Sequence, residues 1–337
     1  MINELRILPP LAIARFGAAP TPMDNYDAVV TPARPLGHRR LVPAETLRVD
    51  PVTGAIAEVV VPAGVAFKEN GLVRPVAPFL ELWAVTDAGQ LEPVTTTMLE
   101  ADGVTAADVQ WHVHVANLKA ARRTGDPDDR IEVKTGFFSD HEVHELHGTS
   151  PNFWPDKSIP FGHARYIKPT GDHPEIRLRF TPGPGHVYGA STAPPPAVPA
   201  DPNVVDVVYN GAAGRWLGHV DGQPAQPGEP DPPPFTAPGG IYRSEPPGSG
   251  VSAGYLDDGC DGLVRARLTV RGVTLRTYAR VGAGPPAYAP DSMPIRSVAD
   301  ELEQLLRGPS VDAGDATLER VEEIVRRAFE TVRLMNT

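Results

Sequence analysis

The chain has 337 residues and a formal net charge of −11, from 31 Lys and Arg against 42 Asp and Glu. That balance argues against a nucleic-acid partner. Hydrophobic residues at 41% allow a large core, while 39 prolines and 32 glycines exclude a helical bundle, because helix interiors do not tolerate that proline load.

In chain order, LRILPPLAIARFG at 5–17 predicts a strand, a break at Pro9-Pro10 and a second strand ending at Gly17. Residues 36–61 contain strand-length apolar runs such as AIAEVVVP. FLELWAV at 79–85 alternates cleanly and runs into Asp87-Ala88-Gly89, the pattern of a hairpin arm and its turn. Thr105 to Val109 suits one helical turn, and VQWHVHV at 109–115 alternates again. Arg122 to Arg130 reads as a loop around Gly125-Asp126-Pro127. EIRLRF at 175–180 and VVDVVY at 204–209 are strand-like. Two proline-rich straps, near 193–202 and 223–238, suit an extended polyproline conformation. LVRARLTVRGVTLRTYAR at 263–280 is the clearest hairpin, its arms flanking Arg271-Gly272.

After Pro294 the character becomes helical. SVADELEQLLR at 297–307 predicts a helix with Ser297 as N-cap and Gly308 as stop. Leu318, Val321, Val325, Ala328, Val332 and Met335 form one apolar face of a second helix over 316–335. That face needs a dock on its own domain, on a partner or on further chain. The fold expected is mainly β, a sandwich-like core over 1–290 with long Pro/Gly-rich loops, followed by a short two-helix segment over 295–337.

Cys260 is the one cysteine, so neither an internal disulfide nor a four-cysteine zinc site can form. No run reaches the roughly 18–20 apolar residues of a membrane span, and no signal peptide is visible. A cytoplasmic location is expected.

Three constellations could carry chemistry. His141, His144 and His147 are spaced so that a helix would place two of them on one face, as zinc requires; the simpler reading is a solvated, acidic, partly helical loop. His112 and His114 share one face of a strand, a metal-pair geometry that needs a third ligand. Asp257, Asp258, Cys260 and Asp261 crowd around two glycines. The carboxylates should raise the thiol pKa and so oppose a thiolate nucleophile. A hard-cation loop or a tight turn capped by Asp side chains are the remaining readings. Rossmann, Walker and G-x-S-x-G signatures are absent, and Gly183-Pro184-Gly185-His186 does not fit a phosphate loop.

Four segments together resemble one family: 5–17, VQWHVHVANLKAAR at 109–122, GYLDDGCDGLV at 254–264, and ARVGAGPPAYAPDSMPIRSVADELEQLL at 279–306. The set resembles the N-terminal region of the cysteine tryptophylquinone amino-acid oxidases, of the lysine 6-oxidase and glycine oxidase type. The opening is similar to that family's I-x-P-x-I-G-I-A-R-x-G, with Leu11-Ala12 in place of Ile-Gly. Trp111 to Ala121 is similar to its W-x-V-H-x-A-N-x-K-A-A, with Leu118 in place of Lys. The resemblance implies an enzyme that deaminates an amine or amino acid, makes hydrogen peroxide, and builds its quinone from its own Trp and Cys with help from a flavin-dependent maturation protein. In the family the crosslinked pair lies in the C-terminal half, so no catalytic residue transfers to this chain. The expectation is a structural half, inactive alone and partnered by a catalytic half or second subunit. The alternatives are a β-rich scaffold or binding module, which could self-associate through its terminal helix, and a histidine-based metal enzyme.

Overall fold

The structure is a computed structural model describing residues 1–30, 39–195, 199, 201–220, 251–286, 298–308, 317–318, 321–322, 324–325 and 328–329. It is mainly β, as the proline and glycine content predicts. Contacts divide the chain into two compact units. One comprises Met1–Met23, Leu47–Val59 and Ala66–Pro286; the other comprises Asp24–Thr46, Val60–Val65 and Ala287–Thr337.

The first unit carries strands β1 (Ile2–Leu8), β2 (Leu11–Arg15), β3 (Phe79–Thr86) and β4 (Leu91–Pro93). After them come β5 (Gln110–Asn117), β6 (Ile131–Lys134), β7 (Val143–Gly148), β8 (Ile159–Tyr166) and β9 (Arg177–Pro182). The last are β10 (Val187–Ser191), β11 (Asp206–Asn210), β12 (Leu256–Asp257), β13 (Cys260–Val270) and β14 (Val273–Gly284). A six-stranded sheet has the order β1-β3-β9-β8-β7, with β4 also on β3. A five-stranded sheet has the order β6-β5-β13-β14-β2. A three-stranded sheet has the order β11-β10-β12, and two short two-stranded sheets lie at residues 46–60 and 68–73.

Alternation explains both large sheets. Along β5, Trp111, Val113 and Val115 are buried while His112 and His114 face outward. Along β13, Val264, Ala266 and Leu268 are buried between half-exposed arginines. The inner faces of the two sheets share one apolar core, from Leu5 and Ile7 through Trp111 to Phe180 and Val281. β13 and β14 pair from Cys260↔Ala283 to Val270↔Val273, and Arg271 and Gly272 turn the hairpin with positive φ of 51° and 79°.

Two short helices stand where the sequence reading had none. α1 (Thr96–Ala101) starts at Thr95, whose side chain accepts from Met98 N–H. α2 (Lys119–Thr124) takes in part of the loop expected at 122–130 and ends at Gly125 with φ 70°. The helical arrangement considered for His141, His144 and His147 is replaced by a strand: 143–148 pairs with β8. The cause is the buried positions Leu146 and Gly148, spaced two apart against Phe161 and Ile131.

In the second unit, Tyr26–Val30 pairs antiparallel with Arg39–Pro43. α3 (Val298–Arg307) runs where predicted and stops at Gly308, φ 73°. Leu302, Leu305 and Leu306 are exposed. Ser297, most of the 316–335 helix, part of the first strap and all of the second lie outside the described residues.

No helix among the described residues is long and apolar enough to cross a membrane.

Candidate functional site

Two of the resembling segments, 109–122 and 254–264, are stitched together by one buried carboxylate. β5 ends at Asn117, whose Oδ1 accepts the Lys119 N–H at 3.0 Å as α2 begins. The same amide donates through Nδ2 to Asp257 O at 3.0 Å and Oδ1 at 2.8 Å. Lys119 Nζ sits 2.7 and 3.0 Å from the two Asp257 carboxylate oxygens. Gly259 permits this approach, since a Cβ there would stand 2.9 Å from Lys119 Nζ. Asp257 thereby neutralises the lysine and anchors α2 to the start of β13.

Asp258 turns the other way. Its Oδ2 accepts from the Gly185 N–H at 2.8 Å and the His186 N–H at 3.1 Å. Gly183-Pro184-Gly185-His186 is therefore a cradle for a protein carboxylate. Asp258 is fully buried and its Oδ1 has no partner. Burial pushes its pKa up to about 6, against the pull of those two N–H groups. Cys260 is buried next to it, and burial first, then the carboxylates of Asp258, Asp261 and Asp257, push the thiol far up. It is held as a thiol.

Around this knot lies a cavity of about 470 Å³, within the size range of ligand pockets. β2 contributes Leu11, Ile13 and Arg15; α2 contributes Lys119, Arg122 and Arg123; the 255–261 turn contributes Asp257, Cys260 and Asp261; Gly282 to Gly284 and Trp216 close it. Four cations face two carboxylates in this lining, so its field favours an anionic group. With Lys119 bound to Asp257 and the thiol protonated, the arrangement suits holding a ligand better than acid–base or nucleophilic chemistry.

Trp216 is positioned by a second buried network. Tyr209 OH donates to Asp129 Oδ1 and accepts the Trp216 N–H at 2.9 Å. Asn152 Nδ2 donates to Asp129 Oδ1 at 2.9 Å, and the Thr124 hydroxyl lies 2.6 Å from Oδ2. Burial raises the Asp129 pKa although all three contacts lower it. Trp216 Nε1 donates to Tyr255 O at 2.8 Å. Tyr209→Phe removes a donor and an acceptor at once, and should cost about 1–3 kcal/mol. A lower thermal midpoint together with a shifted tryptophan emission would register it.

The histidines go elsewhere. His141 Nδ1 is 3.1 Å from Tyr166 O. His144 Nε2 is 2.9 Å from Asp140 Oδ1, its ring stacked on Phe138 at 3.8 Å. His147, on the opposite face of β7, is 3.4 Å from Ser158 Oγ. His112 Nδ1 is 2.7 Å from Thr135 O, and His114 Nε2 is 2.9 Å from Glu132 Oε2. Among the described residues no three His, Cys, Asp or Glu side chains group to hold a metal ion.

The sequence reading reached Asp257, Asp258, Cys260 and Asp261 but missed Asn117, Lys119, Asp129 and Tyr209. For the first two the signal was the quoted A-N-x-K run; for Asp129 and Tyr209 no local pattern marks the pairing.

No family model matches the chain, and no curated protein does. Solved structures do. The L-Lys epsilon-oxidase from Marinomonas mediterranea is similar at 14% identity and a TM-score of 0.42. The Schiff base intermediate of that enzyme with L-Lys is similar at 15% identity and a TM-score of 0.42. Each match covers 99% of this chain and 46% of the other, so the chain spans about half the length of the structures it is similar to.

Proposed function

We propose that this chain is the structural N-terminal region of a quinone-dependent amino-acid oxidase, of the lysine or glycine type, and turns over no amine alone. The observation that carries this reading is convergence: segments 5–17, 109–122, 254–264 and the start of 279–306, which carry the resemblance, all contribute to one cavity. Segments far apart in sequence keep a joint pattern when they build a joint structure.

The residues present do not suit the quinone itself. Crosslinking needs a cysteine beside a tryptophan that substrate can reach. Cys260 shares the cavity with Trp216, but that indole is 2% exposed and Trp111 is 0% exposed. A catalytic half, on a longer chain or a second subunit, would supply the Cys–Trp pair, with a flavin-dependent protein maturing it.

The test is a redox-cycling quinone stain after denaturing electrophoresis of the protein from its source. A stained band well above 36.0 kDa is expected. A stained band at 36.0 kDa would overturn the inactive half, and an unstained one would remove oxidase chemistry from the reading. The isolated chain should release no hydrogen peroxide from L-lysine or glycine. A second reading, a β-rich binding module, is favoured by the outer face of the five-stranded sheet.

A further inference from the structure

The five-stranded sheet buries one face and leaves the other open. The register reads across it in rows. Lys134, His114, Leu263, Arg280 and Leu11 form one row. His112, Arg265 and Tyr278 form the next, and Gln110, Arg267 and Arg276 the one beyond. On the other side of the first row stand Glu132, Ala116, Asp261, Gly282 and Ile13, then Arg15 beside Gly284.

Six cations therefore share this face with two carboxylates, in a chain whose formal charge is −11. Among the described residues Arg265, Arg276 and Arg280 form no ion pair. Arg267 stands directly opposite Arg276, a like-charge cross-strand pair that opposes folding. Arg267 also lies over the Phe137 ring, 3.7 Å from its centroid. The basic field reaches His112, which is held below the usual imidazole range by burial, with Arg265 adding to the effect. The face is also apolar. Tyr278 is 60% exposed and Leu11 and Ile13 are each 53% exposed.

We propose that this face docks an acidic polypeptide segment of a second protein that carries apolar side chains. Its carboxylates would take Arg265, Arg276 and Arg280, and its apolar groups would cover Leu11, Ile13 and Tyr278. Charge complementarity decides the occupant. Nucleic acid is disfavoured because Glu132 and Asp261 sit in the row of Ile13, where a continuous phosphate backbone would meet them and a peptide can set an apolar side chain instead. A second copy placed face to face would set arginines against arginines. Leu11 and Ile13 also line the candidate-site cavity, but the inference rests on the charge and exposure of the face and does not need the oxidase reading.

The experiment measures fluorescence anisotropy of three labelled probes with the full chain at low salt. The probes are a short peptide of Glu and Leu, its Lys and Leu counterpart, and single-stranded DNA. The Glu and Leu peptide is expected to bind best and to weaken as salt rises. The Arg276→Glu, Arg280→Glu double variant should weaken it by about tenfold or more. Tyr278→Ser should weaken it with no change of charge. Both variants alter exposed side chains, and an unchanged thermal midpoint will show that they fold. Equal binding of the Lys and Leu peptide, indifference to the charge reversal, or tighter binding of DNA would each overturn the proposal. So would a salt-sensitive dimer of the chain abolished by the same reversal, which would make the occupant a second copy.

Discussion

Gly262→Ala is expected to lower the thermal unfolding midpoint by about 6–12 °C. A Cβ at Gly262 would stand 2.0 Å from His114 O and 2.7 Å from Val115 Cα. Both are backbone atoms of β5, paired with β13, so no side chain can swing aside. Either the β5–β13 ladder opens or the Asp257 knot shifts. Overpacking of this kind costs about 3 kcal/mol at its upper end, and each kcal/mol moves the midpoint of a unit this size by about 2–4 °C. Gly282 supplies the control. It pairs with Asp261 on the neighbouring strand, yet a Cβ there meets nothing within 4 Å. Gly282→Ala should leave the midpoint unchanged or raise it slightly, by restricting the unfolded chain. Equal effects from the two substitutions would refute the close approach as the cause.

Asp258→Asn should stabilise the protein at neutral pH and do little in mild acid. The folded pKa of Asp258 is about 6, against an ordinary 3.8. Between these values the folded state keeps a proton that the unfolded state has released, so this group's contribution is fully present below about pH 4. It is lost as pH rises to about 6 and is flat beyond. The full span corresponds to about 3 kcal/mol. Asparagine can still accept from the Gly185 and His186 N–H groups through Oδ1 and carries no charge to bury. The gap between variant and parent midpoints should therefore open from pH 4 to pH 7. Parallel curves would show that Asp258 does not ionise in place. Asp140 and Glu132 act in the opposite sense. At Asp140 burial is overcome by hydrogen bonds from His144 and the Glu142 N–H, and at Glu132 the hydrogen bond from His114 outweighs burial, so both carboxyls are held below the ordinary range and their stabilisation fades as pH falls. Comparing variant with parent at each pH isolates Asp258.

Local chemistry made most of the sheet strands legible. Arg271-Gly272 between two alternating arms admits one arrangement, and β13–β14 adopts it. FLELWAV and VQWHVHV each carry a two-residue period that a helix would scatter around its axis. The helices missed are short: α1 is six residues and depends on a single threonine cap, and α2 is held by Asn117 and Asp257 more than by any stripe of its own. The histidine run misled because spacings of three suit a helix, while the burial of Leu146 decided for a strand. At the candidate site the turn 257–261 could be read, but its partners could not. Asp257 meets Asn117 140 residues away, and Asp258 meets Gly185 73 residues away. Nothing in either segment encodes the meeting; only the closed sheets bring the two together.

The parallel pairing of β2 with β14 joins Leu11–Arg15 to Arg280–Gly284, and this sets a timetable for synthesis. Apart from the Arg15–Val76 bridge, β2 must wait for the last strand of its unit before it has a strand beside it. Until then Leu11 and Ile13 travel on an unpaired edge, the state in which nascent chains stick to one another. Sheet closure this distant in sequence is slow. Slower translation would lengthen the wait, and a chaperone that shields Leu11–Arg15 would shorten the exposure.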